Sequence, residues 1–277
     1  MRLERVKSTH GSALWTVGQG AERRALNIGL DELLSADDPA AALHRAANEA
    51  APLDGELTPL PPLESQEVWA SGVTYRRSQQ ARKRESGGSD FYDRVYEAAR
   101  PELFFKGSSS RAVGPGDAVG IRQDAAWSVP EPELTLVLDC RGAIFGYTIG
   151  NDLSSRDIEG ENPLYLPQAK TYARALGLGP CIVTADEISD PMNLQITLDI
   201  TRGGSSVFRG QTSTANLNRP LAELAEYLFR SQSFPAGALL LTGTGIVPDD
   251  SFTLHAGDTV LIGIEGIGEL SNPVIVV

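Results

Sequence analysis

The chain has 277 residues, of which 41% are hydrophobic and 22% charged, a composition typical of a globular protein with a large core. Its 24 basic and 36 acidic residues give a net charge of −12, which argues against a basic face for nucleic acid. It contains no run of about 18 apolar residues that would span a membrane. The two cysteines are too few for a disulfide framework, and a cytoplasmic location is expected.

Residues 1–63 are predicted to form a small N-terminal α/β domain. A helix is expected to begin at Pro39, because Asp38 can cap it and proline fits its first turn, and to continue to about Ala51. The proline-rich segment 57–63 predicts a stiff, extended linker. The domain boundary is therefore placed after residue 63.

Residues 64–277 are predicted to form the larger, catalytic domain. A short buried strand is expected over 68–73, followed by helices over 74–84 and 90–99. Apolar and polar residues alternate over 194–201, which predicts a half-buried strand. Apart from a helix that begins near Pro220, strand patterns dominate the rest of the chain, so the expected fold class is α+β and mostly β.

Three acidic residues lie where two predicted strands meet. Glu131 and Glu133 open a strand over 134–138, and residues i and i+2 of a strand point to the same face. A short turn leads to a returning strand over 143–150. A two-residue loop places Asp152 opposite Glu131, and a four-residue loop keeps it on the same face, whereas a three-residue loop would move it to the other face.

Carboxylates gathered on one face repel one another and lose hydration on burial, and a divalent cation removes both costs. A site made only of oxygen ligands favours a hard ion, so Mg²⁺ is expected, with Mn²⁺ or Ca²⁺ as alternatives. The competing interpretation is that Glu131 and Glu133 are solvated residues of an exposed strand.

Several segments resemble the fumarylacetoacetate hydrolase superfamily: 130–134, 146–157, Lys170, 242–245 and 264–273. The resemblance extends from about Trp69 to the last residue. It implies a mixed β-roll fold, with Glu131, Glu133 and Asp152 holding a metal ion that chelates the 2-keto acid part of a substrate. It also implies a homodimer or homotetramer, with no nucleic-acid or membrane partner.

Four segments point to the branch of this superfamily that dehydrates 2-keto-3-deoxy sugar acids: 73–75, 100–106, 127–133 and 162–170. Hydrolases and decarboxylases of the family commonly carry a histidine three residues after a tyrosine near the first helix. Here Ser78 follows Tyr75 at that spacing. The resemblance implies a Mg²⁺-dependent hydro-lyase of pentose catabolism, which converts 2-keto-3-deoxy-D-arabinonate to 2-oxoglutarate semialdehyde and water. Glu159 replaces a glutamine of the family and leaves hydroxyl recognition at that position open.

This reaction needs a base for the C3 proton and an acid for the C4 hydroxyl. Lys170 is expected to be the base and Glu102 the acid, although the two roles can be exchanged. Four residues are expected to contact the substrate: Thr244, Arg76, Ser78 and Lys106. Thr244 lies between two glycines, which let the backbone and its hydroxyl approach a carboxylate.

Two other functions stay open at this point. An acylpyruvate hydrolase or an oxaloacetate decarboxylase would use the same metal site, but Ser78 in place of histidine leaves a water nucleophile without its usual base. A non-catalytic sugar-acid binding protein is the other alternative.

Overall fold

The computed structural model describes residues 1–8, 11–53, 55–76 and 91–277. Ser78 and most of the helix predicted over 74–84 lie outside these residues. The described strands are β1 (Arg2–Ser8), β2 (Ala13–Val17), β3 (Arg24–Ala25), β4 (Ala51–Pro52), β5 (Leu57–Pro59), β6 (Glu67–Gly72), β7 (Glu102–Gly107), β8 (Ala112–Val113), β9 (Val119–Ile121), β10 (Ser128–Val129), β11 (Pro132–Leu138), β12 (Ile144–Asp152), β13 (Ser154–Ser155), β14 (Leu176–Thr184), β15 (Gln195–Arg202), β16 (Ser205–Ser213), β17 (Ala238–Leu241), β18 (Thr259–Ile264) and β19 (Gly268–Val276).

The described helices are short and lie between the strands. They are α1 (Leu30–Ser35), α2 (Pro39–Glu49), α3 (Phe91–Glu97), α4 (Arg156–Glu161), α5 (Leu166–Lys170) and α6 (Leu221–Phe229). Strands therefore dominate, and the predicted α+β, mostly β fold class is confirmed. No helix in the described ranges is long and apolar enough to cross a membrane.

Two large sheets organise the chain. The first runs in the order β4-β3-β2-β1-β14-β12-β11-β17-β6-β7, with β5 added beside β1 and β8 beside β14. The second runs β16-β15-β18-β19-β9, and β10 pairs separately with β13. Most neighbours are antiparallel, but β17 and β6 are parallel, as are β19 and β9, so both large sheets are mixed.

The central strands of the first sheet are buried on both faces, which explains their continuous apolar sequences. In β17, Ala238 and Leu240 pack into the core between the two sheets, which also contains Ile196 and Ile262. Leu239, next to them in sequence, packs on the opposite face in a second core. Since successive strand residues point to opposite faces, one apolar run serves both cores.

The first 63 residues add strands to this same sheet. Leu3 of β1 pairs with Ile182 of β14, and β5, from the proline-rich segment, pairs with β1. Leu34 of α1 and Leu43 of α2 belong to the second core. These contacts describe how the segment packs, and the domain boundary after residue 63 stays a prediction.

The remaining element predictions agree closely with the structure. Asp38 caps α2 by accepting a hydrogen bond from the Ala41 backbone N–H at 2.9 Å, and Pro39 is the first residue of the helix. The helix ends at Glu49, two residues before the predicted end. The alternating segment forms β15, with Ile196 and Ile200 buried.

The β11–β12 connection differs from the sequence expectation. The Asp139 N–H donates to the Ala143 carbonyl at 2.9 Å, so the loop has the three residues 140–142 that would move Asp152 to the wrong face. A β-bulge corrects this, because Leu138 pairs with Ile144 whereas Val137 pairs with Gly146. Phe145 is the extra residue, and it restores the register beyond it.

Candidate active site

The β11–β12 pairing brings the three predicted metal ligands together. Glu133 pairs with Gly150, and the Asp152 backbone N–H donates to the Glu131 carbonyl at 2.9 Å. One carboxylate oxygen from each of Glu131, Glu133 and Asp152 lies within 4.8 Å of the other two. All three residues are buried, at 4%, 1% and 1% exposure, so they are not solvated strand residues. We refer to these three residues as the acidic cluster.

Lys170, the last residue of α5, projects its ammonium into the acidic cluster. Its Nζ lies 2.8 Å from Glu131 Oε2 and 3.0 Å from Asp152 Oδ2. It also donates to Ser154 Oγ at 2.5 Å, and it lies 5.7 Å from the centre of the Phe104 ring. The lysine predicted as the base is therefore in direct contact with two predicted metal ligands.

Glu133 is held by a backbone donor from the turn that follows β17. The Gly243 N–H donates to Glu133 Oε2 at 2.6 Å. Burial, and then the negative charges of Asp152 and Glu131, raise the pKa of Glu133 well above its usual value, against smaller opposing effects of Lys170 and the Gly243 N–H. Burial and the two neighbouring carboxylates therefore both disfavour the charged form of Glu133.

Arg156 neutralises the other side of the acidic cluster. The guanidinium of this 1% exposed residue at the start of α4 lies 2.6 Å from Glu131 Oε1. It also lies 3.5 Å from Glu159 Oε2, one turn along the helix. Glu159, which replaces the family's glutamine, is thus linked through Arg156 to Glu131 and the acidic cluster.

This donor set suits a hard divalent cation. Three buried carboxylates offer oxygen ligands, and histidine and cysteine contribute none to the cluster among the described residues. A divalent ion would relieve the repulsion that raises the pKa of Glu133. The cluster therefore fits Mg²⁺ on its own chemistry.

Glu102 lies on β7, at the edge of the first sheet. It pairs with Gly72 across β6 and β7, and a side chain at position 72 would collide with its carboxylate. It shares a strand face with Phe104, whose ring lies beside Lys170. Its role as the acid stays a prediction.

The three predicted substrate-contacting residues that the structure describes have different surroundings. Thr244 is buried next to Gly243, and its hydroxyl donates to the Ile246 carbonyl at 3.2 Å. Arg76 is exposed. Lys106 is buried beside Asp152, with 2.6 Å between Nζ and Oδ1. The substrate contacts of Thr244, Arg76 and Lys106 stay predictions, and Ser78 lies outside the described residues.

The sequence reasoning missed three residues that contact or border this site. Ser154 and Arg156 lie in the segment 146–157 that resembles the family, but the sequence alone assigns them no role. Strand parity could have found Ser154, because it lies two residues after Asp152 in an extended segment. Tyr75 is buried near Glu133, and burial, followed by the Glu133 charge, raises the pKa of its hydroxyl. No local pattern marks Arg156 or Tyr75 as neighbours of the cluster.

Sequence comparisons assign this site to a known family. Residues 67–275 match the profile of the fumarylacetoacetate (FAA) hydrolase C-terminal domain. A Haloferax volcanii protein named probable 2-keto-3-deoxyxylonate dehydratase is 53% identical over 213 residues, 77% of this chain and 73% of that protein. The 2-dehydro-3-deoxy-D-arabinonate dehydratase of Saccharolobus solfataricus is 46% identical over 217 residues, with the same coverage of 77% and 73%.

Solved structures of similar proteins share the fold. A 2-keto-3-deoxy-D-arabinonate dehydratase complexed with magnesium and 2,5-dioxopentanoate superimposes with a TM-score of 0.87, at 37% identity over 100% of this chain and 99% of that one. A 5-carboxymethyl-2-hydroxymuconate delta-isomerase from Mycobacterium smegmatis gives 0.73 at 26% identity, with 100% of each chain covered. The same fold therefore carries more than one reaction, and the reaction must be argued from the site.

Proposed function

The chain belongs to the fumarylacetoacetate hydrolase family, and from this premise we propose that it is a Mg²⁺-dependent dehydratase of a 2-keto-3-deoxy sugar acid. The proposed reaction converts 2-keto-3-deoxy-D-arabinonate to 2-oxoglutarate semialdehyde and water, as a step of pentose catabolism. Two relatives at 53% and 46% identity are named as dehydratases of such five-carbon acids. The product is the 2,5-dioxopentanoate that a structural relative holds together with magnesium.

One observation carries the proposal: the Lys170 ammonium lies within 3.0 Å of both Glu131 and Asp152, inside a buried carboxylate cluster. A dehydratase of this type needs a proton acceptor next to the group that activates the 2-keto acid. Glu131, Glu133 and Asp152 would hold the Mg²⁺. When bound, Mg²⁺ supplies a Lewis acid that polarises the 2-keto oxygen and acidifies the C3–H bond.

The protein's own groups move the protons. Once a bound Mg²⁺ compensates Glu131 and Asp152 in its place, Lys170 would be free to give up its own proton. It then accepts a proton from C3, and Glu102 donates a proton to the C4 hydroxyl as its C–O bond breaks and water leaves. Carbons 3 and 4 are then joined by a double bond. A carbon-bound proton of C5 then moves to C3, which gives an enol with a C4–C5 double bond. The proton of the enol hydroxyl moves to C4, and C5 becomes the aldehyde carbon. Burial of Lys170 and the acidic cluster keeps bulk water from competing for these protons.

The hydrolase and decarboxylase alternatives lack support in the described part of the chain. Its two histidines, His44 and His255, are both exposed and neither belongs to the acidic cluster. A water nucleophile attacking a C–C bond would therefore need another base.

Assays of the purified protein with Mg²⁺ test the proposal directly. Each of the 2-keto-3-deoxypentonates, an acylpyruvate and oxaloacetate would be supplied in turn, and the semialdehyde, cleavage products and CO₂ measured. We expect semialdehyde from a 2-keto-3-deoxypentonate, and its loss on chelation. Turnover of only the acylpyruvate or oxaloacetate would overturn the proposal, and binding without turnover would favour the sugar-acid binding protein. Light scattering of the same sample tests the homodimer or homotetramer.

A further inference from the structure

We propose that Lys106 is a positioning residue, which fixes the carboxylate of Asp152 and the main chain of Lys170 and does not contact the substrate. The inference rests on the proposed function, since it concerns the geometry of the proposed base. Direct contact with the substrate, the role predicted from the sequence, is the competing outcome.

A β-bulge at Lys106 supports this role. In the β6–β7 pair, Trp69 lies opposite Phe105 and Val68 lies opposite Gly107, so Lys106 is an extra residue with no opposite partner. Bulges redirect a side chain away from the ordinary alternation of a strand. Here the side chain, at 0% exposure, is directed into the protein.

The Lys106 ammonium is fully occupied by protein oxygens. An ammonium has three N–H donors. Its nitrogen lies 2.6 Å from Asp152 Oδ1, and it donates to the Leu153 carbonyl at 3.0 Å and the Lys170 carbonyl at 2.5 Å. These three contacts use the three donors and leave none for a substrate oxygen.

The three contacts join the parts that carry the proposed chemistry. The Lys170 carbonyl is the last of helix α5, and such terminal carbonyls lack a partner within the helix. Asp152 is shared, because Oδ1 faces Lys106 and Oδ2 lies 3.0 Å from Lys170 Nζ. Lys106 therefore holds the backbone of Lys170 and also the carboxylate of Asp152, which contacts the Lys170 side chain. A displacement of a proposed base by about 1 Å can lower turnover about 100-fold.

Lys106→Met separates positioning from substrate contact, because it removes the three polar contacts and keeps an apolar side chain of similar length. With Mg²⁺ saturating for each protein, we expect kcat to fall about 100-fold, while KM and the dissociation constant of 2-oxobutyrate, a 2-keto acid without a leaving group, change less than 3-fold. Lys7→Met, at an exposed lysine of β1, is the matched control and should leave all three values unchanged. A 10-fold rise in KM or in the 2-oxobutyrate dissociation constant, or an unchanged kcat, would overturn the inference.

A crystal structure of the wild-type protein with Mg²⁺ and 2-oxobutyrate tests the same point if Lys106→Met does not fold. Lys106 Nζ should keep Asp152, Leu153 and Lys170 as its partners, and a direct bond from it to 2-oxobutyrate would overturn the inference. Wild-type inactivity toward every 2-keto-3-deoxy acid would instead overturn the proposed function. The crystal structure and the 2-oxobutyrate affinities would still decide the role of Lys106.

Discussion

Lys170 Nζ and Asp152 Oδ2 lie 3.0 Å apart, and both side chains are 1% exposed. Glu131 Oε2 lies 2.8 Å from the same nitrogen, so two buried carboxylates share this ammonium, in addition to Arg156 at Glu131 and Lys106 at Asp152. Removing one partner of a buried pair leaves an uncompensated charge, which is costly. Lys170 is therefore expected to stabilise the metal-free protein in addition to its proposed role as the base.

Lys170→Met is expected to lower kcat by about 100- to 10,000-fold, the range typical of a lost general base. It should also lower the free energy of unfolding of the metal-free protein by about 3 kcal/mol, because Glu131 and Asp152 each lose one of their two buried cationic partners. Adding Mg²⁺ should restore more stability to the variant than to the wild type. Urea unfolding with EDTA or with Mg²⁺ measures this, and equal Mg²⁺ effects in the two proteins would contradict the shared charge site.

Glu133→Gln is expected to weaken Mg²⁺ binding by at least on the order of 100-fold, because the site loses one of its anionic ligands. The metal-free protein should not lose stability, since the Glu133 charge is repelled by Asp152 and Glu131. Calorimetric titration with Mg²⁺ and thermal unfolding in EDTA measure the two effects. Glu226→Gln, at an exposed glutamate of α6, is the control. Unchanged Mg²⁺ affinity in Glu133→Gln would exclude Glu133 as a ligand.

The acidic cluster could be predicted because it depends on local rules. Strand parity puts Glu131 and Glu133 on one face, and a hairpin register brings Asp152 to them. The loop length was not predictable, and the correct register results from a bulge at Phe145 that compensates a three-residue loop. The three-residue loop and the one-residue bulge each shift the pairing by one residue. Together they shift it by an even number, so Asp152 stays on the face of Glu131 and Glu133.

The cations of the site were harder to derive from the sequence. Lys106 lies on β7 and Lys170 on α5, and both contact Asp152. The two lysines are 64 residues apart in the sequence. Such contacts depend on how separate elements pack, and no spacing rule determines that packing. Gly107 next to Lys106 is compatible with a bulge, but it does not indicate that the Lys106 side chain turns inward. Family resemblance supplied Lys170, and the ionic link from Arg156 to Glu131 emerged only from the structure.

Gly243→Ala should lower the free energy of unfolding by at least about 2 kcal/mol, because residue 243 has a φ of +93° that costs an L-residue about 1–2 kcal/mol. A Cβ there would also collide with Thr74 Oγ1. The shifted backbone should weaken Mg²⁺ binding too, since the Gly243 N–H holds Glu133. Urea unfolding and calorimetry measure both changes.

Thr74→Ala tests whether the collision between a Cβ at residue 243 and Thr74 Oγ1 causes the loss of stability. Alone it removes the hydrogen bond from Thr74 Oγ1 to the Thr242 carbonyl, a loss of about 1 kcal/mol. Combined with Gly243→Ala it should cost less than the sum of the single changes, because the colliding hydroxyl is gone. Gly203→Ala, with φ +57° and open space around the added carbon, is the matched control for backbone strain alone. Strict additivity at 74 and 243 would argue against the close approach.

The ion pair between Arg202 and Asp258 predicts a pH-dependent stability that is independent of the acidic cluster. Asp258 is 0% exposed, and its two oxygens accept from Arg202 Nε at 2.7 Å and Arg202 Nη2 at 2.8 Å. Burial by itself would raise the pKa of Asp258, but the hydrogen bonds from Arg202 and from the His255 N–H outweigh it and lower the pKa. An aspartate with a lowered pKa stabilises the folded state above its ordinary pKa, and this contribution is lost as the pH falls through the lowered value.

Asp258→Asn should therefore reduce the free energy of unfolding at pH 7 by about 2 kcal/mol or more, because a buried carboxylate loses its charge-assisted hydrogen bonds. The difference from the wild type should shrink as the pH falls below the ordinary value of 3.8. Asp199→Asn is the matched control, since Arg209 pairs with Asp199 at 2.8 Å but is 75% exposed, and such pairs contribute about 0–1 kcal/mol. Urea unfolding from pH 7 to pH 3 measures the free energy of unfolding of both variants and the wild type. If the stability lost in Asp258→Asn does not change with pH, the shape of the Asp258 side chain, and not its charge, is what stabilises the fold.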